Sequence, residues 1–183
     1  MLCAGYITLA KDGGFVIPNE EVRTAFQLEI LPHFGVEDPS SSIQGFLSCL
    51  KDGDAKRMES LIKDFLLRSV SSLLAGKEDF YHGFLLGVSF FLSPYFEVRS
   101  EMETGKGRSD LLLLPKKDGC PCVVIEVKQG NSSKTPLPEL AEEALRQIEL
   151  RQYDYGRGKS IRFGVAFRGK EASVLSAIHE VEP

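Results

Sequence analysis

The stretch "GRSDLLLLPKKDGCPCVVIEVKQG", Gly107 to Gly130, decides how this chain is read. It holds two apolar runs, Leu111 to Leu114 and then Val123, Val124, Ile125 and Val127, joined by a Lys-Asp-Gly turn. Each has the length and residue types of a β-strand. Asp110 stands at the mouth of the first run, and Glu126 and Lys128 interrupt the second. Charges in a strand that should be buried are costly, so they ask for a reason. Because side chains alternate along a strand, Glu126 and Lys128 share one face while Ile125 and Val127 point the other way into a core.

If Asp110 opens the adjacent strand, its carboxylate can converge with that of Glu126 on one divalent cation. Hard oxygen ligands suit Mg²⁺, which keeps several waters and commonly uses one or two carboxylates. Lys128 would then meet the water and the phosphate. Phosphodiester hydrolysis needs a metal to polarise the phosphoryl oxygen and to lower the pKa of a bound water, and a cation to offset the charge that builds up. The plain alternative is an ion pair of Glu126 with Lys128 at a sheet edge, with Asp110 capping a turn.

The surrounding pattern predicts order. "GYITLAKDGGFVIPNEEVRTAF" reads as two short strands about Asp12-Gly13-Gly14, then a helix capped by Asn19 with Glu20 and Glu21 in its first turn. Residues 40 to 76 read as two amphipathic helices, with Asp54 as a cap and Gly76 as a stop. A strongly apolar helix from Glu78 ends near Pro94, and a strand follows at Tyr95 to Glu101. After Gly130 come a helix, Glu139 to about Tyr153, and two strands, "IRFGVAF" and "ASVLSAI". The C-terminal order is helix, three strands, helix, two strands.

In these positions five pieces, "EDFYHGFLLG", "SEMETGKGRSD", "VVIEVK", "ALRQIELRQY" and "FGVAFRGK", resemble the PD-(D/E)XK nuclease superfamily. More narrowly they are similar to the branch found after an AAA-ATPase-like domain in mainly bacterial proteins. The resemblance implies an α/β (α+β) fold: a restriction-endonuclease-like core with a mixed β-sheet flanked by helices at 77–183. Residues 1–76 are then an N-terminal hairpin and helical extension.

It further implies that Asp110 and Glu126, with the Val127 backbone carbonyl, bind Mg²⁺ (or Mn²⁺) and that Lys128 assists the attacking water. An acid on the first helix and a Gln on the second are matched by Glu78 and Gln147. His82, four residues after Glu78 on the same helix face, could also reach the metal, although a histidine on an apolar helix is more often a hydrogen-bonded core residue. The proline that the family places before the Asp is Ser109 here, a common departure. "GYITL" and "IPNEEVRTAF" resemble what joins the ATPase-like domain to the nuclease, but no G-x-x-x-x-G-K-[ST] motif occurs in these residues, so the two readings are a piece of a longer ATPase-nuclease protein, or a partner of such an ATPase, and a stand-alone nuclease.

Candidate nucleic-acid contacts are Lys106 and Arg108 beside the site, and Arg168, Lys170 and Arg162 toward the C-terminus, each also readable as a solvated turn or hairpin tip. Tyr81 reads as packing. Cys120-Pro121-Cys122 reads as strand-start packing, since the four cysteines form neither a CxxC pair nor a disulfide framework.

The 183 residues have room for one ordinary domain, with 43% hydrophobic residues and a net charge of -4. That balance excludes a protein that coats nucleic acid nonspecifically but leaves room for a local basic groove. The start lacks a secretory signal pattern, and the longest apolar stretch, around Gly83 to Leu92, is too short to span a bilayer. A soluble, intracellular protein, cytoplasmic or nuclear, is expected. Its expected work is Mg²⁺-dependent endonuclease action on DNA, and a dimer acting on branched DNA is one form of it. The rival is a nuclease-like fold that no longer cuts and binds DNA or a protein instead.

Overall fold

The computed structural model describes residues 8–9, 15–16, 19–25, 39–69, 78–104, 107–130, 134–154 and 158–180. A two-stranded antiparallel sheet, β1 (Thr8–Leu9) with β2 (Phe15–Val16), precedes α1 (Glu20–Ala25). Asn19 caps that helix as expected: its side-chain oxygen accepts the Val22 N–H at 2.8 Å. Then come α2 (Pro39–Asp52), α3 (Ala55–Ser69) and α4 (Glu78–Phe91), followed by strands β3 (Phe96–Thr104), β4 (Gly107–Pro115) and β5 (Cys122–Gln129). The chain continues with α5 (Leu137–Arg151), β6 (Ser160–Arg168) and β7 (Glu171–His179). Asp54 caps α3 through the Arg57 N–H at 3.0 Å, and Gly76, the expected stop, lies outside the described residues.

The strands form one sheet in the order β3-β4-β5-β6-β7, antiparallel except for the parallel pair β5–β6. Parallel neighbours cannot be joined by a hairpin and need a crossover, which α5 supplies. This makes β5 the central strand, covered on both faces, and explains why its sequence is a nearly unbroken β-branched run. The expected alternation holds. Val123, Ile125 and Val127 join Phe163, Val165 and Phe167 of β6 in one core with α2, α3 and α4, through Phe46, Leu50, Met58, Ile62, Leu66, Tyr81 and Leu85. The opposite face packs on α5: Leu112, Cys122 and Val124 on Ile148 and Tyr153, and Ala166 on Leu137 and Ala141.

That second face is built for close approach. A Cβ at Gly164 would stand 2.0 Å from the Ala141 carbonyl oxygen, so only glycine lets α5 lie this near the sheet. Along α5 the buried stripe is Leu137, Ala141, Ala144 and Ile148, with Leu140 half-buried beside it.

Helices α2 and α3, N-terminal to the expected boundary at 76/77, pack in the same core as the sheet. They also seal its edge. Glu59 on α3 accepts the Val174 N–H of β7 at 2.9 Å, and Ser176 donates to the Gly53 carbonyl in the α2–α3 turn at 2.6 Å. Covering an edge strand in this way removes a site for unwanted strand pairing. Among the described residues no helix is long and apolar enough to cross a membrane.

Candidate metal and phosphodiester site

The site begins where the sheet forks. The β4–β5 ladder runs Leu113↔Val123, Leu112↔Val124, Leu111↔Ile125 and then ends, although β4 stays paired with β3 as far as Gly107 and β5 with β6 as far as Gln129. An unbroken ladder would next give the Val127 N–H to the Ser109 carbonyl. The Asp110 carboxylate takes that bond instead, with Oδ2 2.7 Å from the Val127 nitrogen. Since the N–H and C=O of a strand residue point to the same side, the Val127 carbonyl also faces the opened gap.

Glu126 lies beside this fork and is only 3% exposed. Its Oε1 accepts a bond from the Gln147 side-chain amide, and its Oε2 is buried without a hydrogen-bond partner. Burial pushes the Glu126 carboxyl from its ordinary 4.5 up to about 8; the Asp110 charge adds to the rise, and Lys128 together with bonds from the Asp110 backbone and Gln147 offsets part of it. Lys128 Nζ donates to the Gln147 carbonyl oxygen at 2.6 Å. Gln147 therefore bridges the acid and the amine with the two ends of one amide. Its nitrogen also lies 3.5 Å from the Tyr153 hydroxyl.

An orphaned, buried carboxylate oxygen beside a second carboxylate is a site short of a positive partner. Two hard oxygen donors and a carbonyl fit Mg²⁺ or Mn²⁺. Among the described residues no group of three or more His, Cys, Asp and Glu side chains forms a cage, so such a cation would be held largely by water, as Mg²⁺ commonly is.

The other sequence candidates divide. His82 faces the site from α4, with Nε2 3.7 Å from Asp110 Oδ2, buried and without a hydrogen bond. Arg168 lies at the C-terminal end of β6 and donates to the Thr135 carbonyl at 2.5 Å. Lys170 reaches the Leu67 carbonyl at the end of α3 at 3.4 Å. Lys106 and the side chains of Glu78 and Arg108 lie outside the described residues.

Arg162 corrects the sequence reading. It is buried at 8% exposure and holds Asp154 through Nε and one terminal nitrogen, at 2.8 and 2.9 Å, so it is a structural ion pair and not a nucleic-acid contact. The expected alternative of an acid–amine pair at a sheet edge also fails, because β5 is central and Gln147 stands between the two groups. Tyr81 packs as expected, stacked on Phe167 at 4.3 Å and donating to the Gly169 carbonyl at 2.8 Å. Cys122 is buried at the start of β5.

Sequence reasoning gave no role to Tyr153 or Asp154. Gln152 closes α5 in a left-handed conformation (φ 53°) and turns Tyr153 back under the helix. Nothing but an aromatic residue just past a helix end signals this.

A family model described as the PD-(D/E)XK nuclease superfamily matches residues 76–176. The chain belongs to this superfamily. The match runs from just before α4 into β7 and includes Asp110, Glu126, Lys128 and Gln147. The mixed sheet with helices on both faces is the restriction-endonuclease-like architecture of PD-(D/E)XK proteins. No curated protein matches the chain. PD-(D/E)XK nucleases generally use divalent metals, which agrees with the oxygen donors gathered at the fork.

Proposed function

We propose that this chain is a metal-dependent endonuclease that hydrolyses phosphodiester bonds in DNA. The observation that carries the reading is the fork itself, which sets Asp110, bonded to the Val127 N–H, beside the hydrogen-bonded chain Glu126, Gln147 and Lys128. Asp110, Glu126 and the Val127 carbonyl would hold Mg²⁺ or Mn²⁺. When bound, such an ion polarises the phosphoryl oxygen and makes water a better nucleophile.

The chain's own groups do the rest. Gln147 fixes the Lys128 ammonium by accepting one of its protons, which leaves the others for the attacking water or a phosphate oxygen. Its amide nitrogen holds Glu126 Oε1 and so turns Oε2 free of protein partners. Val127, Ile125 and Leu111 back the site with core, which keeps the strands rigid. Glu78 and His82 on α4 are proposed as further groups facing the cation, and Lys106, Arg108 and Lys170 as backbone contacts.

The N-terminal pieces "GYITL" and "IPNEEVRTAF" support an AAA-ATPase-like domain or partner, and a soluble cytoplasmic or nuclear setting is proposed with it. A homodimer would present two sites to the two strands of branched DNA.

The test incubates the purified chain with plasmid, linear and branched DNA in Mg²⁺, Mn²⁺ or EDTA, beside Asp110→Asn. Metal-dependent cutting that is lost in the variant supports the reading, and the substrate cut gives its class. No cutting on any substrate, with no metal bound by calorimetry, replaces it with a nuclease-like fold that only binds.

A further inference from the structure

We infer that Arg168 forms a second phosphate subsite, which holds the backbone phosphate next to the one at Lys128. This rests on the reading of the fork as a nuclease site and adds to it where the strand runs.

The position follows from register. Parallel pairing sets Lys128 beside Ala166 and Gln129 beside Phe167, and one step further sets Gly130 beside Arg168. The Gly130 N–H bonds the Phe167 carbonyl at 2.8 Å, so the strands are still in contact there. Phe167 faces the α4 side with Val127, whereas Ala166 packs on α5. Arg168 therefore leaves the sheet on the α5 face, the face of Glu126 and Lys128. Two residues of strand advance about 6.6 Å, so the guanidinium continues the cationic line from Lys128 toward the end of the sheet.

The second observation is the state of the guanidinium. One nitrogen is anchored on the Thr135 carbonyl at 2.5 Å, while Nε is buried with no hydrogen-bond partner. Nε lies covered at Gly130 and one nitrogen is held by Thr135, so the guanidinium is fixed in place and its remaining N–H groups, on a half-exposed residue, are the ones that meet a phosphate oxygen. The third is Gly130. A Cβ there would stand 2.9 Å from one guanidinium nitrogen and 3.1 Å from Nε. The bare backbone at 130 is thus what allows Arg168 to lie across the strand end.

The rival account is that Arg168 only pins the segment leading into α5. The two accounts differ in salt dependence, since a phosphate contact releases counterions and a loop clamp does not. The experiment measures binding of a fluorescent DNA duplex by anisotropy across a KCl series, in EDTA and in the Asp110→Asn chain, so that no catalysis is needed. It compares this parent with Arg168→Gln, Arg168→Lys and Gly130→Ala added to it, with the melting temperature of each recorded.

Arg168→Gln is expected to weaken binding about tenfold and to lower the salt slope by about one. Arg168→Lys should keep the slope and lose part of the affinity, because the charge stays and the fork is gone. Gly130→Ala, which pushes the guanidinium aside with its charge intact, should also weaken binding. Arg168→Gln binding within twofold of the parent with an unchanged slope overturns the inference, as does a parent that binds no DNA. A wild-type chain that never cuts, combined with the expected loss in Arg168→Gln, keeps the subsite and removes the nuclease reading.

Discussion

The Asp110 carboxylate accepts the Val127 backbone N–H at 2.7 Å, in place of the strand carbonyl that would close the ladder. One side chain thus ends the pairing of two strands and stands at the opening it makes. Asp110→Ala should therefore do two things: remove a proposed cation ligand and leave a half-buried N–H unpaired, at about 1–3 kcal/mol. Asp110→Asn keeps an oxygen that can accept the N–H and loses only the charge. We expect both variants to lose metal binding and cutting, and only Ala to melt earlier. Equal melting temperatures would show that the bond to Val127 contributes nothing.

Gln147 joins Glu126 to Lys128, so its loss should be felt at both. Groups that orient metal ligands typically account for about 10–100-fold in affinity or activity. Gln147→Ala is expected to lower metal affinity by calorimetry and the cleavage rate within that range. Gln147→Glu should be worse than Ala, because it sets a carboxylate against Glu126 where an amide N–H stood.

Glu126 makes the metal-free protein pH-sensitive in a definite direction. Its carboxyl is pushed by burial from an ordinary 4.5 up to about 8. Below 4.5 both folded and unfolded chains are protonated and nothing is lost. Between those values the unfolded chain gives up its proton and the folded one keeps it, so stability falls as pH rises through about 8. In EDTA, Glu126→Gln should melt above the wild type, by a margin that widens from pH 5 to pH 8. Each ~1 kcal/mol corresponds to about 2–4 °C for a chain of this size. A margin that stays flat with pH would count against the buried, proton-holding state.

Arg162 and Asp154 are a stability pair. Burial raises the Asp154 carboxyl, but bonds from Arg162 and Ser160 overcome this and hold it below the usual range. A depressed carboxyl stabilises above its ordinary pKa and loses that contribution as pH falls through the folded value. Arg162→Ala leaves a buried carboxylate without its cation and with the Ser160 hydroxyl still bonded to it, which costs about 3–5 kcal/mol, a drop in melting temperature on the order of 10 °C. Its salt slope for DNA should match the wild type, in contrast to Arg168→Gln.

The element order, the caps at Asn19 and Asp54, and the place of Asp110 on the strand next to that of Glu126 and Lys128 were legible because each depends on local rules: period, turn residues and side-chain alternation. Gln147 could be named only through a resemblance, since on the helix alone it sits between exposed Arg146 and Arg151 and looks solvated. Arg162 and Arg168 lie on one strand and look alike as sequence. What separates them is Asp154, folded back beside one, and Gly130, brought beside the other by parallel pairing.

By itself, the sequence determined which segments are strands and helices and which charged residues interrupt an apolar strand. Those properties follow from neighbours a few positions apart. Only the tertiary structure decided that β5 is central, that the β4–β5 ladder stops at Leu111↔Ile125, and that one glutamine spans acid and amine. Each depends on pairing between segments far apart in the chain, where the cost of burying a charge is weighed against partners that local sequence does not contain.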